Sequence, residues 1–287
     1  MLRIALPNKG RLSEKALDLF ETAGLRAEFS SERALVAQLG PDFEAIFVRA
    51  ADIPEYVADG AADLGVTGAD LVAESGRRIT ELLDLGFGRC RLAVAVPESS
   101  AITAPEDLAQ GTRIATSFPA VTRRFFGELG IDIEIAPVSG ATEIAPHLGV
   151  ADVIVDLVST GSTLRVNRLR EVGTILESTA RVVASPKSLE SPERRPAVDE
   201  VIAALESVLR ARARRYLMAN VRRDRLDEVR KVIPGINGPT IVEILDGSEW
   251  VAAHAVVEAD RVYQTIARLK NLGAEGILVT RIERLMP

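Results

Sequence analysis

The sequence predicts an α/β protein with a two-lobed core, followed by a small βαββαβ module. Three observations carry this. Short apolar runs alternate with helix-period segments over the first two thirds of the 287 residues. A faint internal repeat, Gly60-Ala-Ala-Asp63-Leu-Gly-Val-Thr67 against Gly149-Val-Ala-Asp152-Val-Ile-Val-Asp156, places a glycine, an aspartate and a buried strand twice in the same order. The last ~75 residues then change grammar to strand, helix, hairpin, helix, strand, the split ferredoxin-like motif.

Taken in order, Leu2–Leu6 is the first strand. The helix after it is carried by Leu12, Ala16, Leu19, Phe20 and Ala23 and stopped by Gly24. Ile46–Arg49 reads as a strand, Ile53–Ala58 as a short helix and Leu64–Thr67 as a strand running into Gly68. Leu82–Leu85 and Arg91–Val96 are strands parted by Gly86-Phe87-Gly88. The alternation resumes with strand Ile114–Thr116, helix Pro119–Leu129 and strand Ile133–Val138, and then helix Thr142–Leu148 and strand Val153–Val158. Val172–Leu176 and Arg181–Ala184 read as strands returning to the first lobe, and Pro-rich Ser185–Pro196 as a linker before helix Val198–Arg212. In the final module Tyr216–Val221, Thr240–Leu245, Trp250–Val257 and Glu275–Thr280 are strands, Leu226–Val232 and Arg261–Leu272 helices, and Asp246-Gly247 a hairpin turn. The expected boundaries are residues 1–86 and 169–187 for lobe I, 87–168 for lobe II, 188–212 for linker and helix, and 213–287 for the last domain.

Composition narrows the function. Hydrophobic residues at 47% and charged residues at 26% suit a water-soluble globular chain. No apolar run reaches the ~18 residues of a membrane span, and Met1–Gly10 lacks a signal-peptide pattern. The single Cys90 excludes an internal disulfide and fits a reducing cytosol. The net charge of −6 argues against general nucleic-acid affinity. Arg210–Lys231 holds nine basic and three acidic residues, and reads as a solvated or subunit-facing surface. Two histidines and one cysteine make a zinc site improbable, so a catalytic metal would be a hard cation such as Mg2+.

The segment Glu143–Leu164 is the most informative. A buried strand delivers Asp156 to its C-terminal end, and Ser159-Thr160-Gly161-Ser162-Thr163 follows as the lead into a helix. Small hydroxyl residues around one glycine let backbone N–H groups converge where the helix dipole favours an anion. Asp152 and Asp156 suit sugar hydroxyls, or a magnesium shared with pyrophosphate. Together these describe a phosphate cradle beside a polyol site. The same loop also reads as an ordinary Ser/Thr helix cap.

The spacing of Glu143, Gly149, Ala151, Ile154, Asp156, Leu157, Thr160, Gly161, Thr163 and Leu164 resembles the signature of the ATP phosphoribosyltransferase family. Leu2–Leu12, Val48–Val57, Asp63–Leu71, Leu85–Pro97 and Arg113–Pro119 agree with it in order and spacing, and the C-terminal module resembles the regulatory domain of the long form. The resemblance implies a core of periplasmic-binding-protein type and a cytoplasmic enzyme that joins ATP to phosphoribosyl pyrophosphate. It implies L-histidine as inhibitor and a homo-oligomer of dimers and hexamers, with no separate partner subunit.

By residue, the resemblance places Ser159–Thr163 on the 5′-phosphate and Asp152 and Asp156 near the ribose hydroxyls and magnesium. Lys9, Gly10, Arg11 and Arg49 would face the pyrophosphate and the ATP phosphates, and Thr67, Gly68 and Asp70 line the first lobe's loop. Tyr56 would stack on adenine. Arg91 and Arg113 are weaker candidates, or interlobe ion pairs. Asn220, Thr240, Val256 and Gly276 match the histidine site, with Asn220 where some relatives carry aspartate. A solute-binding protein, a cytosolic amino-acid sensor and a phosphoribosyltransferase of Rossmann type are the competing readings. The last normally shows two adjacent carboxylates after an apolar strand, whereas Val153-Ile-Val-Asp156-Leu157 has one.

Overall fold

The computed structural model describes residues 1–31, 34–245 and 249–286, with the side chain of Arg11 outside the description. It divides into two compact units, Met1–Asp18 with Arg26–Asp199, and Leu19–Leu25 with Glu200–Pro287. The chain order begins β1 (Leu2–Pro7), α1 (Gly10–Thr22), β2 (Glu28–Phe29), β3 (Val36–Gln38), β4 (Phe43–Val48), α2 (Ile53–Ala58), β5 (Leu64–Gly68), α3 (Ala69–Ser75) and β6 (Thr80–Asp84). It continues β7 (Cys90–Pro97), β8 (Thr112–Thr116), α4 (Pro119–Glu128), β9 (Ile133–Pro137), β10 (Val153–Val158), α5 (Ser162–Val166), β11 (Leu169–Ser178) and β12 (Ala180–Ala184). Then come α6 (Pro186–Glu190), α7 (Arg195–Arg212), β13 (Arg214–Arg222), α8 (Leu226–Val232), β14 (Thr240–Glu243), β15 (Trp250–Glu258), α9 (Val262–Asn271) and β16 (Glu275–Arg281).

The first unit holds two sheets, one per lobe. The seven-stranded sheet has the order β2-β3-β4-β1-β5-β12-β6 and the five-stranded sheet β11-β7-β10-β8-β9. All five residues of β5 are buried, as expected of a strand covered on both faces. Gly65 is needed there, because a Cβ would meet Ile53 at 2.5 Å and Val57 at 2.9 Å on α2. The lobes are joined by two crossovers that pair with each other, Leu85 N–H donating to Ala180 O and Ala180 N–H to Phe87 O, both at 2.9 Å. Helix α3 adds a third link. Leu71 and Ala73 pack against the apolar core of the second lobe, and the Glu74 carboxylate accepts the Ala120 and Val121 amides at the start of α4, each at 2.9 Å.

The second unit contains a four-stranded sheet of order β14-β15-β13-β16. With all pairs antiparallel and α8 and α9 in the two connections, this is the ferredoxin-like order. Leu217, Ala219, Val221, Val251, Ala253 and Ala255 form its core with Val229 of α8 and Leu269 of α9. The alternate residues of β13 and β15 face the other way.

Four expectations change. Leu169–Ser178, expected in lobe I, pairs antiparallel with β7 in the second sheet, so only β12 returns to the first. Thr142–Leu148 is a single 3-10 turn, Thr142–Ile144, rather than a helix; Pro146 lacks an amide donor and Ala141 sits at φ 51°. Ser185–Pro196 is no free linker: it holds α6, and Ser188 and Arg194 bond the buried Asp63 carboxylate. The unit boundary falls inside α7 instead, between Asp199 and Glu200. The Asp246-Gly247 turn lies outside the described residues.

Candidate active site

Strand β10 ends at Val158, and the chain turns through Ser159–Gly161 into the short helix α5. Gly161 makes the turn with φ 72°, in the left-handed region. The Thr160 and Ser162 hydroxyls lie 3.0 Å apart. Among the described hydrogen bonds none uses the amides of Thr160, Gly161, Ser162 or Thr163. All five loop residues line one cavity of about 330 Å3, together with Glu143 and Asp156.

Glu143 is the residue that sequence reasoning missed. It stands in the family spacing, but its place beside Asp156 depends on the turn after β9 folding back over β10. The pair supplies the two carboxylates that one strand alone lacks. Burial raises the Asp156 carboxyl above its ordinary range, against the 2.8 Å hydrogen bond from the Leu157 amide; the Glu143 charge raises it further, and the Thr142 hydroxyl opposes that. Two acceptors at the mouth of an amide-rich loop suit a polyol bearing a phosphate, with sugar hydroxyls on the acids and phosphate oxygens on the N–H groups.

Asp152 does not belong to this cavity. It precedes β10, about 13 Å along the strand from Asp156. Its carboxylate accepts the Arg113 amide at 3.2 Å, while its own amide donates to Arg113 O at 2.8 Å. Asp63 does the same before β5, accepting the Arg3 amide at 2.8 Å and donating to Arg3 O at 2.8 Å. The internal repeat is therefore a device that fixes the start of each central strand.

At the C-terminal edge of the first sheet, β1 and β4 run parallel and end together, with the Asn8 amide on Val48 O at 2.8 Å. This brings Lys9 and Arg49, both exposed, to one edge, with Gly10 at φ 79° opening α1. Tyr56 is 40% exposed on α2, so its ring is available.

Thr67 and Asp70 are internal struts rather than ligand-facing groups. Thr67 is fully buried and donates to Ala50 O at 2.7 Å. Asp70 is buried against Ser178, and a Cβ on Gly68 would collide with the Asp70 carboxylate. Arg91 pairs with Glu171 at 2.6 Å within the second sheet and so does not bridge the lobes. Cys90 is a half-buried thiol, raised by burial and by the Asp70 charge against a Ser178 hydrogen bond.

A family model described as ATP phosphoribosyltransferase matches residues 49–207, and one described as HisG, C-terminal domain, matches residues 211–284. The ATP phosphoribosyltransferase of Gemmatimonas aurantiaca is 62% identical over the full length of both chains, and that of Methanopyrus kandleri 49%. The chain belongs to the ATP phosphoribosyltransferase family. It is a pentosyltransferase of the long form, with catalytic lobes and a C-terminal domain in one polypeptide. In a solved ATP phosphoribosyl transferase (HisG:HisZ) complex from Thermotoga maritima, the matching chain is 32% identical with a TM-score of 0.64, covering 72% of this chain and 96% of that one.

The four positions expected at a histidine site are spread over the three strand pairings of the C-terminal sheet. Thr240 is opposite His254, Val256 opposite Tyr216, and Asn220 opposite Glu275, the neighbour of Gly276. All belong to the face turned away from α8 and α9, where Tyr216 and His254 are hydrogen-bonded at 2.8 Å. Gly276 has φ 55°, and a Cβ there would lie 3.2 Å from Asn220 Nδ2.

Among the described residues no group of three or more His, Cys, Asp or Glu is placed to hold a metal ion. Glu143 and Asp156 are hard oxygen donors that suit magnesium as two ligands of a larger set. No helix of the described residues is long and apolar enough to cross a membrane.

Proposed function

We propose that the protein condenses ATP with 5-phosphoribosyl 1-pyrophosphate to give phosphoribosyl-ATP and pyrophosphate, the first step of L-histidine biosynthesis. The observation that supports it is the cavity in which Glu143 and Asp156 meet the open amides and hydroxyls of residues 159–163. Amides and hydroxyls of the loop hold the 5′-phosphate. The two carboxylates accept the ribose hydroxyls and orient C1. N1 of adenine attacks C1 with its own lone pair, the C1–oxygen bond breaks, and both bonding electrons leave with pyrophosphate. No side-chain nucleophile is required, and the protein positions the reactants and compensates charge.

Lys9 and Arg49, with Gly10 at the same edge of the first sheet, attract the pyrophosphate and the ATP phosphates, and Tyr56 offers a ring for adenine. Asp156 and Glu143 would help hold magnesium, which would supply positive charge to offset the negative charge developing on the leaving pyrophosphate. Thr67, Gly68 and Asp70 shape the first lobe's loop from behind. L-Histidine binds at Asn220, Thr240, Val256 and Gly276 and inhibits turnover in a cytoplasmic homo-oligomer.

The test is pyrophosphate release from ATP, phosphoribosyl pyrophosphate and magnesium, coupled to a pyrophosphatase, with and without L-histidine. Turnover that needs both substrates and falls with histidine supports both halves of the reading. Folded protein that binds the substrates without turnover favours the sensor. Turnover indifferent to histidine refutes the assignment of the last domain.

A further inference from the structure

The C-terminal unit carries a second polar cavity, of about 360 Å3, built from the ends of α8, α9 and β15. Arg214, Lys231, Arg261 and Arg268 converge on it, with Gln264 as a neutral donor. Glu258 is the single carboxylate in its lining. It is shared by two of the cations, Arg214 at 3.2 Å and Arg261 at 3.1 Å. Lys231 and Arg268 have no ion pair among the described residues. Four cations against one carboxylate leave an excess of three positive charges around one concave surface.

Several neighbouring cations are already paired. In the same basic run Arg210 pairs with Glu206, Arg222 with Asp224 and Glu249, Arg223 with Glu243, and Arg225 with Glu228. Arg215 and Arg230 also lack an ion pair among the described residues but lie outside the lining, so what sets the cavity apart is that four cations meet on one concave surface. Helix C-termini do favour one cation each, but that accounts for Lys231 and Arg268 only, and not for their meeting Arg214 and Arg261.

We propose that this cavity binds a polyphosphate anion, either inorganic pyrophosphate or the polyphosphate tail of a nucleotide. Guanidinium groups grip phosphate oxygens in pairs, and a flexible lysine adds a point charge. A singly charged anion would leave most of the excess uncompensated. The volume lies at the lower end of the range for small-molecule sites. The site is separate from the loop at 159–163, and the inference does not depend on the transferase reading. It shares only Val256 with the positions assigned to histidine.

Equilibrium dialysis of the full chain with labelled pyrophosphate, at physiological chloride, tests this against the Lys231→Gln/Arg268→Gln variant. The expected result is one more site per chain in the native protein than in the variant, with unchanged turnover at saturating substrates. Each single variant, altered at one exposed side chain, should weaken that extra site about tenfold, the worth of one charge-assisted hydrogen bond. These singles keep the test open should the double variant not fold. A non-hydrolysable ATP analogue that empties the extra site assigns it to nucleotides, and one that leaves it filled assigns it to pyrophosphate. Equal stoichiometry and affinity in native and variant proteins, or no extra site at physiological chloride, would overturn the proposal.

Discussion

The Ser178 hydroxyl donates to Asp70 Oδ1 at 2.5 Å and accepts the Asp70 amide at 3.0 Å. Ser178 ends β11 in the second lobe and Asp70 opens α3 in the first, so the two residues tie the lobes at their crossover. Both are almost fully buried. Removing the hydroxyl strands a buried carboxylate without its donor. Ser178→Ala should therefore cost about 1.5–3 kcal/mol, read as a lower urea midpoint. An unchanged midpoint would mean that water replaces the hydroxyl. Asp70→Asn removes a charge that raises the Cys90 thiol, so Cys90 should react faster with a thiol reagent at fixed pH in that variant.

Asp156 and Glu143 give a prediction with two signs. Asp156→Asn should lower kcat/KM by about 10²–10³, the usual loss when one preorganised electrostatic contact is removed. Because the folded carboxyl is raised, its ionisation costs stability as pH climbs from the ordinary carboxylate range through the folded value. Above that window the Asn variant should melt no lower than the native protein. Glu143→Gln removes a neighbouring charge, lowers the Asp156 carboxyl, and should move the acid limb of the kcat/KM profile to lower pH. A limb that does not move would exclude Asp156 as the titrating group.

Gly161 separates backbone conformation from steric fit. Its φ of 72° disfavours any other residue, yet a Cβ would meet nothing closer than Arg165 at 3.6 Å. Gly161→Ala should cost about 1–2 kcal/mol of loop conformation. The effect should appear mainly as a higher KM for phosphoribosyl pyrophosphate with the KM for ATP unchanged. Equal effects on both would refute the assignment of this loop to the 5′-phosphate.

On the open face of the C-terminal sheet, Gly276→Ala presses a methyl against Asn220 and strains a left-handed position. Turnover without histidine should persist while the histidine concentration for half inhibition rises. A parallel loss of basal turnover would show that the domain acts on catalysis without its ligand.

Asp63 supplies an acid-linked contribution to the first unit. Burial alone would raise its carboxyl, but the Arg3 amide, the Ser188 hydroxyl at 2.6 Å and the Arg194 guanidinium bring it below the ordinary value. Its stabilisation is complete above the ordinary aspartate value and lost as pH falls through the lower folded value. Asp63→Asn should be less stable at neutral pH and show a shallower decline in acid, measured by thermal melts across pH.

The strand and helix alternation, the ferredoxin-like order and the loop at Ser159–Thr163 were legible in the sequence because each is a local pattern. Period-two and period-3.6 apolar spacing, and glycine beside hydroxyl residues, are written in contiguous residues. Three other features were decided only by the tertiary structure. β11 joins the second sheet because an antiparallel edge strand is placed by the partner it finds, and β7 lies about 80 residues away along the chain. Asp152 faces the wrong end of its strand, since direction of travel, and not proximity in sequence, separates it from Asp156. Glu143 reaches Asp156 only because the turn after β9 folds back over β10. The sequence by itself determined which chemistry this protein carries, whereas the pairing of distant strands determined which carboxylates meet.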